Sequence, residues 1–232
     1  GPPSSGGALL VNMLNMLENY SLDSLEWNSS DYVHILTEIE RRAYADRAEH
    51  MGDPDFWKVP LDMFQSKAYA KDRIKDININ QATASNLVSA GKPNGYESSE
   101  TTHYSVVDQW GNAVSVTTTI NLNYGNGCIV DGAGFFLNNE MDDFSSKPGV
   151  PNVFGLIGNE ANSIQPGKRP LSSMTPTIVR KNNKPFLVIG SPGGSTIITT
   201  TLQTILNVVN HGMDIQEAVC AARFHSQWLP DV

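Results

Sequence analysis

Cysteine is nearly absent: the 232 residues hold only Cys128 and Cys220. They share no CxxC spacing and have no nearby histidine, so no zinc framework is legible and no metal site is expected. A sparse pair can be a disulfide or two small apolar side chains, and two free thiols are the expectation. Cations are scarce as well. Sixteen Lys and Arg against 24 Asp and Glu leave a net charge of −8, which argues against a nucleic-acid partner. The one basic stretch, Lys168, Arg169, Arg180, Lys181 and Lys184, reads as a solvated face, or at most as a place for a small anion. No run is long and apolar enough to span a bilayer, and the start lacks a charged-then-apolar export pattern, so a soluble chain with no membrane span is expected. Repeats and low-complexity tracts are missing too. The chain starts at Gly1 rather than Met and stops at Leu229-Pro230-Asp231-Val232, so both ends read as cuts inside a longer polypeptide.

What remains suffices for a core. Hydrophobic residues make up 40% and charged residues 17%, with 19 Gly and 13 Pro, the balance of a loop-rich globular domain mixing helix and sheet. Residues 1–76 read as helical. Leu9, Leu10, Met13, Leu14 and Leu17 recur at three and four, and Val33, Ile35, Leu36, Ile39 and Ala43 form a second stripe behind the capping signal Ser29-Ser30-Asp31. A third, shorter helix is expected at about 61–73. From Ser89 to Glu100 the sequence SAGKPNGYESSE reads as an exposed linker. A hairpin follows, 103–107 and 113–120, around the turn Asp108 to Asn112. Further strands are expected at 134–137, 177–180 and 185–190, and a helix at 195–210.

Four places could carry chemistry. Cleavage between Glu100 and Thr101 would make Thr101 an N-terminus, joining a hydroxyl nucleophile to an α-amine of reference pKa about 7.7–8.0 that can serve as its base. Read alone, a Thr-Thr pair is simply a good strand former. Gly190-Ser191-Pro192-Gly193-Gly194-Ser195 lies between an apolar strand and an apolar helix. There, backbone N–H groups could hold an oxyanion, a phosphate loop being the weaker alternative and structural punctuation the bland one. Asn138 to Phe144 places Glu140, Asp142 and Asp143 together after an apolar strand, fit for an ammonium group or merely for a solvated turn. Ser172 and Ser173 offer paired hydroxyl donors to a carboxylate. His103 is assigned to strand packing or hydrogen bonding, since an N-terminal amine makes an imidazole base unnecessary, and His225 sits in the RFHSQWLPD stretch without a catalytic role. His34, His50 and His211 are left unassigned.

In this order TTHYSVVD, TTTIN, NNEMDDFS, KPGVPN, KRPLSSMTPT, GSPGG and RFHSQWLPD, together with the opening PPSSGG, the chain closely resembles the γ-glutamyltransferase family, also called glutathione hydrolases. The resemblance implies a four-layer αββα sandwich of the N-terminal-nucleophile hydrolase type, here incomplete at both ends. Residues 1–100 correspond to the end of a large subunit and 101–232 to the start of a small one, separated by autocatalytic cleavage of a zymogen at Glu100-Thr101. It implies Thr101 as nucleophile, Thr119 as the hydroxyl that positions it, and Gly193 and Gly194 as the oxyanion hole. Asn121, Glu140 and Asp143 would contact the substrate α-amino group, and Ser172 and Ser173 its α-carboxylate. Residues 148–159 resemble a lid loop, with Phe154 where an aromatic closes the pocket. The family's α-carboxylate arginine would precede Gly1. The implied partners are glutathione and other γ-glutamyl compounds, with water or an amino acid or peptide as acceptor, no cofactor, and a periplasmic or secreted location. Alternatives are a cephalosporin-acylase-like or poly-γ-glutamate-processing hydrolase, or an unprocessed, non-catalytic fragment.

Overall fold

In the computed structural model, which describes residues 1–89 and 101–229, the N-terminal part is a layer of helices. The expected linker lies outside the described residues except for Ser89, and so does Glu100. Leu9, Met13 and Met16, spaced by four and three, are wholly buried on α1 (Gly6–Leu17). α2 (Ser30–His50) opens where the capping signal lies: the Ser29 hydroxyl accepts the Tyr32 N–H at 3.3 Å, a contact worth about 1 kcal/mol. Its stripe of Tyr32, Leu36, Ile39 and Ala43 packs against α1, and each large side chain so buried contributes roughly 1.5–3 kcal/mol.

The expected third helix is two, α3 (Leu61–Gln65) and α4 (Lys67–Arg73). Ser66 is extended and its hydroxyl caps α4 by accepting the Tyr69 N–H at 3.2 Å, which breaks the run.

The C-terminal part supplies two antiparallel hairpins. β1 (Thr102–Val107) pairs with β2 (Ala113–Thr118), in register from Thr102 opposite Thr118 to Val107 opposite Ala113. β3 (Thr177–Lys181) pairs with β4 (Lys184–Ile189) across Asn182 and Asn183. Both of these take positive φ, 51° and 62°, the twist-compatible turn that asparagine tolerates. Side chains join the hairpins: Ser105 Oγ donates to the Val188 carbonyl at 2.8 Å and Ser115 Oγ to that of Ile189 at 3.0 Å. A Cβ at Gly190 would stand 2.4 Å from His103 Nδ1, so only glycine lets the β1 imidazole lie against the end of β4. That imidazole bonds Thr117 Oγ1 at 2.9 Å and Ser105 Oγ at 3.0 Å, in keeping with the role expected for it.

α5 (Ile197–Val209) starts two residues later than expected because Gly194–Thr196 forms a 3-10 turn. α6 (Ile215–Cys220) was not anticipated. It carries a full capping box, Asp214 and Glu217 each accepting the other's backbone N–H.

Two expectations are corrected. Residues 134–137 are not a strand: Gly132 and Gly134 take positive φ, and a single bridge from Ile129 to Phe136 is all that forms. The basic stretch is not one solvated face. Lys168 is buried, and Arg169 chelates the wholly buried Asp53 at 2.6 and 2.9 Å, holding that carboxyl well below the usual carboxylate range. Arg169 is itself half exposed, and Arg180, Lys181 and Lys184, on the β3–β4 hairpin, are exposed as well. Cys128 and Cys220 are free thiols, as expected, and both are exposed. Among the described residues no helix is long and apolar enough to cross a membrane.

Three charges of α2, Glu38, Arg41 and Arg42, are buried together. Glu38 receives Arg42 at 2.5 Å and Arg41 at 3.1 Å, and also accepts the backbone N–H and hydroxyl of Thr83 at 2.9 and 2.6 Å. This clamps the end of the helical part onto α2. Removing one partner from a buried pair strands the other, so Arg42→Ala is expected to cost about 3 kcal/mol in urea unfolding, and a loss below about 1 kcal/mol would show that the clamp does not hold.

Candidate active site

The antiparallel register of β1 and β2 brings their flanking residues together, leaving Thr101 Oγ1 3.5 Å from Thr119 Oγ1. Thr119 Oγ1 also accepts the Asn121 N–H at 2.9 Å. Asn121 is buried and left-handed, with φ 74°. Its amide donates to the Asn139 carbonyl at 3.2 Å, and Asn139 Oδ1 accepts the Leu122 N–H at 3.1 Å. The acidic 3-10 turn Glu140–Asp143 therefore hangs directly from the turn after β2.

Thr101, Thr119, Asn121 and Asp143 share a small opening with Ser172, Ser173 and Gly194, walled by Phe154, Met174 and Ile197. Among the residues singled out from sequence, Glu140 and Gly193 stand just outside this lining, and Glu100 lies outside the described residues. Burial pushes the Asp143 carboxyl up to about 7; the Arg47 guanidinium opposes that rise, while Glu140 and Asp142 add to it. Burial raises the Glu140 carboxyl also.

The Ser172-Ser173 segment is held from the N-terminus of the chain. Ser5 donates its N–H and hydroxyl to the Ser172 carbonyl at 2.9 and 2.8 Å, and Ser172 N–H donates to the Pro3 carbonyl at 3.1 Å. Arg47 locks the arrangement. It is buried on α2, and its Nε donates to Ser5 Oγ at 2.9 Å while Nη2 donates to Ser173 Oγ at 3.1 Å. Burial lowers its pKa, with Tyr44 and Asp143 acting in the opposite direction.

Gly193 has φ 130°, and a Cβ on it would meet Thr196 Oγ1 at 2.4 Å, so glycine is required there. Thr196 N–H and Oγ1 both donate to the Gly193 carbonyl, at 2.9 and 2.7 Å, fixing the turn that presents Gly194 to the opening. From α2, Tyr44 OH donates to the Ser195 carbonyl at 2.5 Å. Chemically, the opening offers threonine hydroxyls, a carboxyl group that could receive a cation, paired serine hydroxyls that could receive an anion, and the glycine turn at the entry to a helix.

Sequence reading missed Arg47 and Tyr44. Their signal was present but needed a partner to be read: Glu40, Tyr44 and Arg47 are spaced four and three along α2, one polar face beside the apolar one.

The mixed helix-and-sheet architecture is that of N-terminal-nucleophile hydrolases. The cephalosporin acylase from Bacillus halodurans superposes with a TM-score of 0.71 over 96% of this chain and 37% of its own, and at 22% identity this likeness speaks for the fold alone. An acivicin-inhibited gamma-glutamyltranspeptidase superposes with a TM-score of 0.55 at 70% identity, over 56% of this chain and 69% of its own. The family model for gamma-glutamyltranspeptidase matches residues 1–232, and the chain belongs to that family. The glutathione hydrolase proenzyme of Escherichia coli (strain K12) is 55% identical over 99% of this chain and 40% of its own length. That of Pseudomonas sp. (strain A14) is 52% identical over the same shares. The chain thus spans about two fifths of the length of these curated relatives.

Because Arg47 opposes the rise at Asp143, Arg47→Met is expected to move the Asp143 carboxyl further above 7. The pH dependence of its infrared carboxyl band reads this directly, and an unmoved band would show that the two charges do not interact.

Proposed function

We propose that the protein to which this chain belongs hydrolyses the γ-glutamyl amide of glutathione-like compounds and transfers the γ-glutamyl group to amino acids or peptides. The observation that carries this reading is the convergence of Thr101, Asp143, Ser173 and Gly194 on one opening. The family membership and the proenzyme names of the relatives support it.

Cleavage at Glu100-Thr101 would divide the chain into the end of a large subunit, 1–100, and the start of a small one, 101–232, within a four-layer αββα sandwich. The freed Thr101 amine takes the proton from its own hydroxyl as that oxygen attacks the γ-carbonyl, and returns it to the leaving amine. Thr119 orients the hydroxyl, and the Gly193 and Gly194 amides hold the oxyanion. The resulting γ-glutamyl-threonine ester is resolved by water or by an acceptor amine. Asn121, Glu140 and Asp143 receive the α-ammonium, and Ser172 and Ser173 the α-carboxylate. No cofactor takes part in this scheme, and a periplasmic or secreted location goes with it.

A second reading comes from the Pseudomonas sp. (strain SE83) acylase ACY 1 proenzyme, 41% identical over 96% of this chain and 37% of its own length. A glutaryl group brings no ammonium for Asp143, so paired γ-glutamyl and glutaryl anilides separate the two.

In the full-length protein, Thr101→Ala is expected to abolish both chain cleavage, seen by N-terminal sequencing, and γ-glutamyl anilide turnover. Retained turnover rejects the nucleophile. A protonated Asp143 cannot pair with an ammonium, so kcat/KM should fall as pH drops through about 7. Asp143→Asn should raise KM and make that limb shallower, leaving the part set by the Thr101 amine, and a limb of unchanged steepness would show that Asp143 does not contribute to it.

A further inference from the structure

The opening has one aromatic wall, Phe154, on a segment with no helix or strand of its own. Local bonds shape that segment: Asn152 Oδ1 accepts the N–H groups of Phe154 and Leu156, each at 3.0 Å. They do not determine where it sits against the rest of the protein. Two contacts next to the ring do. At the surface, Asp142 Oδ2 accepts the Val153 N–H at 2.9 Å. In the interior, Gln227 Nε2 donates to the Phe154 carbonyl at 3.2 Å. The buried bond is the more consequential, because its loss leaves a carbonyl with no water to replace the donor.

Gln227 is itself held from the far side. Since its Nε2 faces Phe154, its Oε1 faces His225 Nε2, at 3.0 Å, and His225 Nδ1 meets Thr199 Oγ1 on α5 at 2.8 Å. The neighbouring Ser226 N–H donates to Glu40 Oε2 on α2 at 2.9 Å, and Gln203 of α5 brackets Phe224 through bonds of 2.6 and 3.2 Å. Residues 224–227 are therefore bolted to both α2 and α5, and α5 is the helix that the Gly193-Gly194 turn enters.

We propose that Gln227 is a positioning residue that holds Phe154 as the wall of the substrate opening, tying it to the helix behind the glycine turn. A primary amide suits this place because it donates at one end and accepts at the other. Glutamate loses the donor and leucine loses both. This inference rests on the γ-glutamyl reading only for its kinetic readout.

The test compares full-length wild type with Gln227→Leu, Gln227→Glu and Phe154→Ala, and with each Gln227 variant combined with Phe154→Ala. Melting temperature and N-terminal sequencing select folded, processed protein. Both single Gln227 variants are expected to raise the γ-glutamyl anilide KM roughly three- to tenfold, the effect of one buried hydrogen bond, with kcat changed less than about twofold. In the Phe154→Ala background they should add almost nothing, because the ring through which they act is gone. An unchanged KM in the single variants, or fully additive effects, overturns the proposal. Hydrogen exchange through 152–157 decides it without turnover: Gln227→Leu and Gln227→Glu should speed exchange there, and unchanged exchange overturns it. Wild type that exchanges as expected but leaves the anilide intact refutes the γ-glutamyl reading while leaving the positioning role standing.

Discussion

The site depends on one buried cation. A guanidinium taken out of water costs several kcal/mol unless its donors are used, and Arg47 uses them on residues far apart in the chain: Ser5 Oγ, 42 positions before it, and Ser173 Oγ, 126 positions after it. Its charge also acts on Asp143. The start of α1, the serine pair and the acidic turn are thereby drawn to a single point on α2. Asp143 can be buried while still titrating near neutrality only because this positive charge works against its desolvation.

The reactive-looking groups occupy the ends of rigid elements. Thr101 and Thr119 flank the β1–β2 hairpin, Ser172 and Ser173 precede β3, and Gly193 and Gly194 lie between β4 and α5. Loops held at both ends by packed elements can present polar groups to a ligand while the scaffold bears the stability. The polar bonds from β1 and β2 to the β4 carbonyls, together with the close fit of His103 under Gly190, hold the strand that follows Thr101 against the strand that leads into the glycine turn.

Much of this was legible in sequence where the determinant is local. The stripes of α1 and α2, the Ser29 cap, both hairpins and the paired asparagines each follow from a few neighbouring residues. The four candidate motifs, read separately, were ambiguous; their common order pointed to the family, and the fold brings members of all four to one opening. What escaped was set by distant partners. Asp53 and Arg169 are 116 positions apart, so a basic stretch that looked solvated is partly folded inward. Glu38 and Thr83 are 45 apart, so nothing local marked that α2 carboxylate as buried. The expected strand at 134–137 is reduced to one bridge because Gly132 and Gly134, at positive φ, curl the chain back onto residues 126–130, whose backbone takes its hydrogen bonds.

Three polar side chains on one face of α2 explain why the separate walls keep their spacing. Arg47 holds the serine pair, Tyr44 holds the Ser195 carbonyl beside the glycine turn, and Glu40 accepts the Ser226 N–H next to Gln227. At 1.5 Å rise per residue, the span from Glu40 to Arg47 is about 10 Å. Such a ruler needs all three groups buried, since an exposed contact could be replaced by water and would fix nothing. The cost of that burial is visible at Glu40, whose carboxyl is pushed up to about 8. A core chosen for stability alone would put an apolar residue there. Retaining a carboxyl group in the interior makes sense where its oxygens must anchor the backbone behind the site.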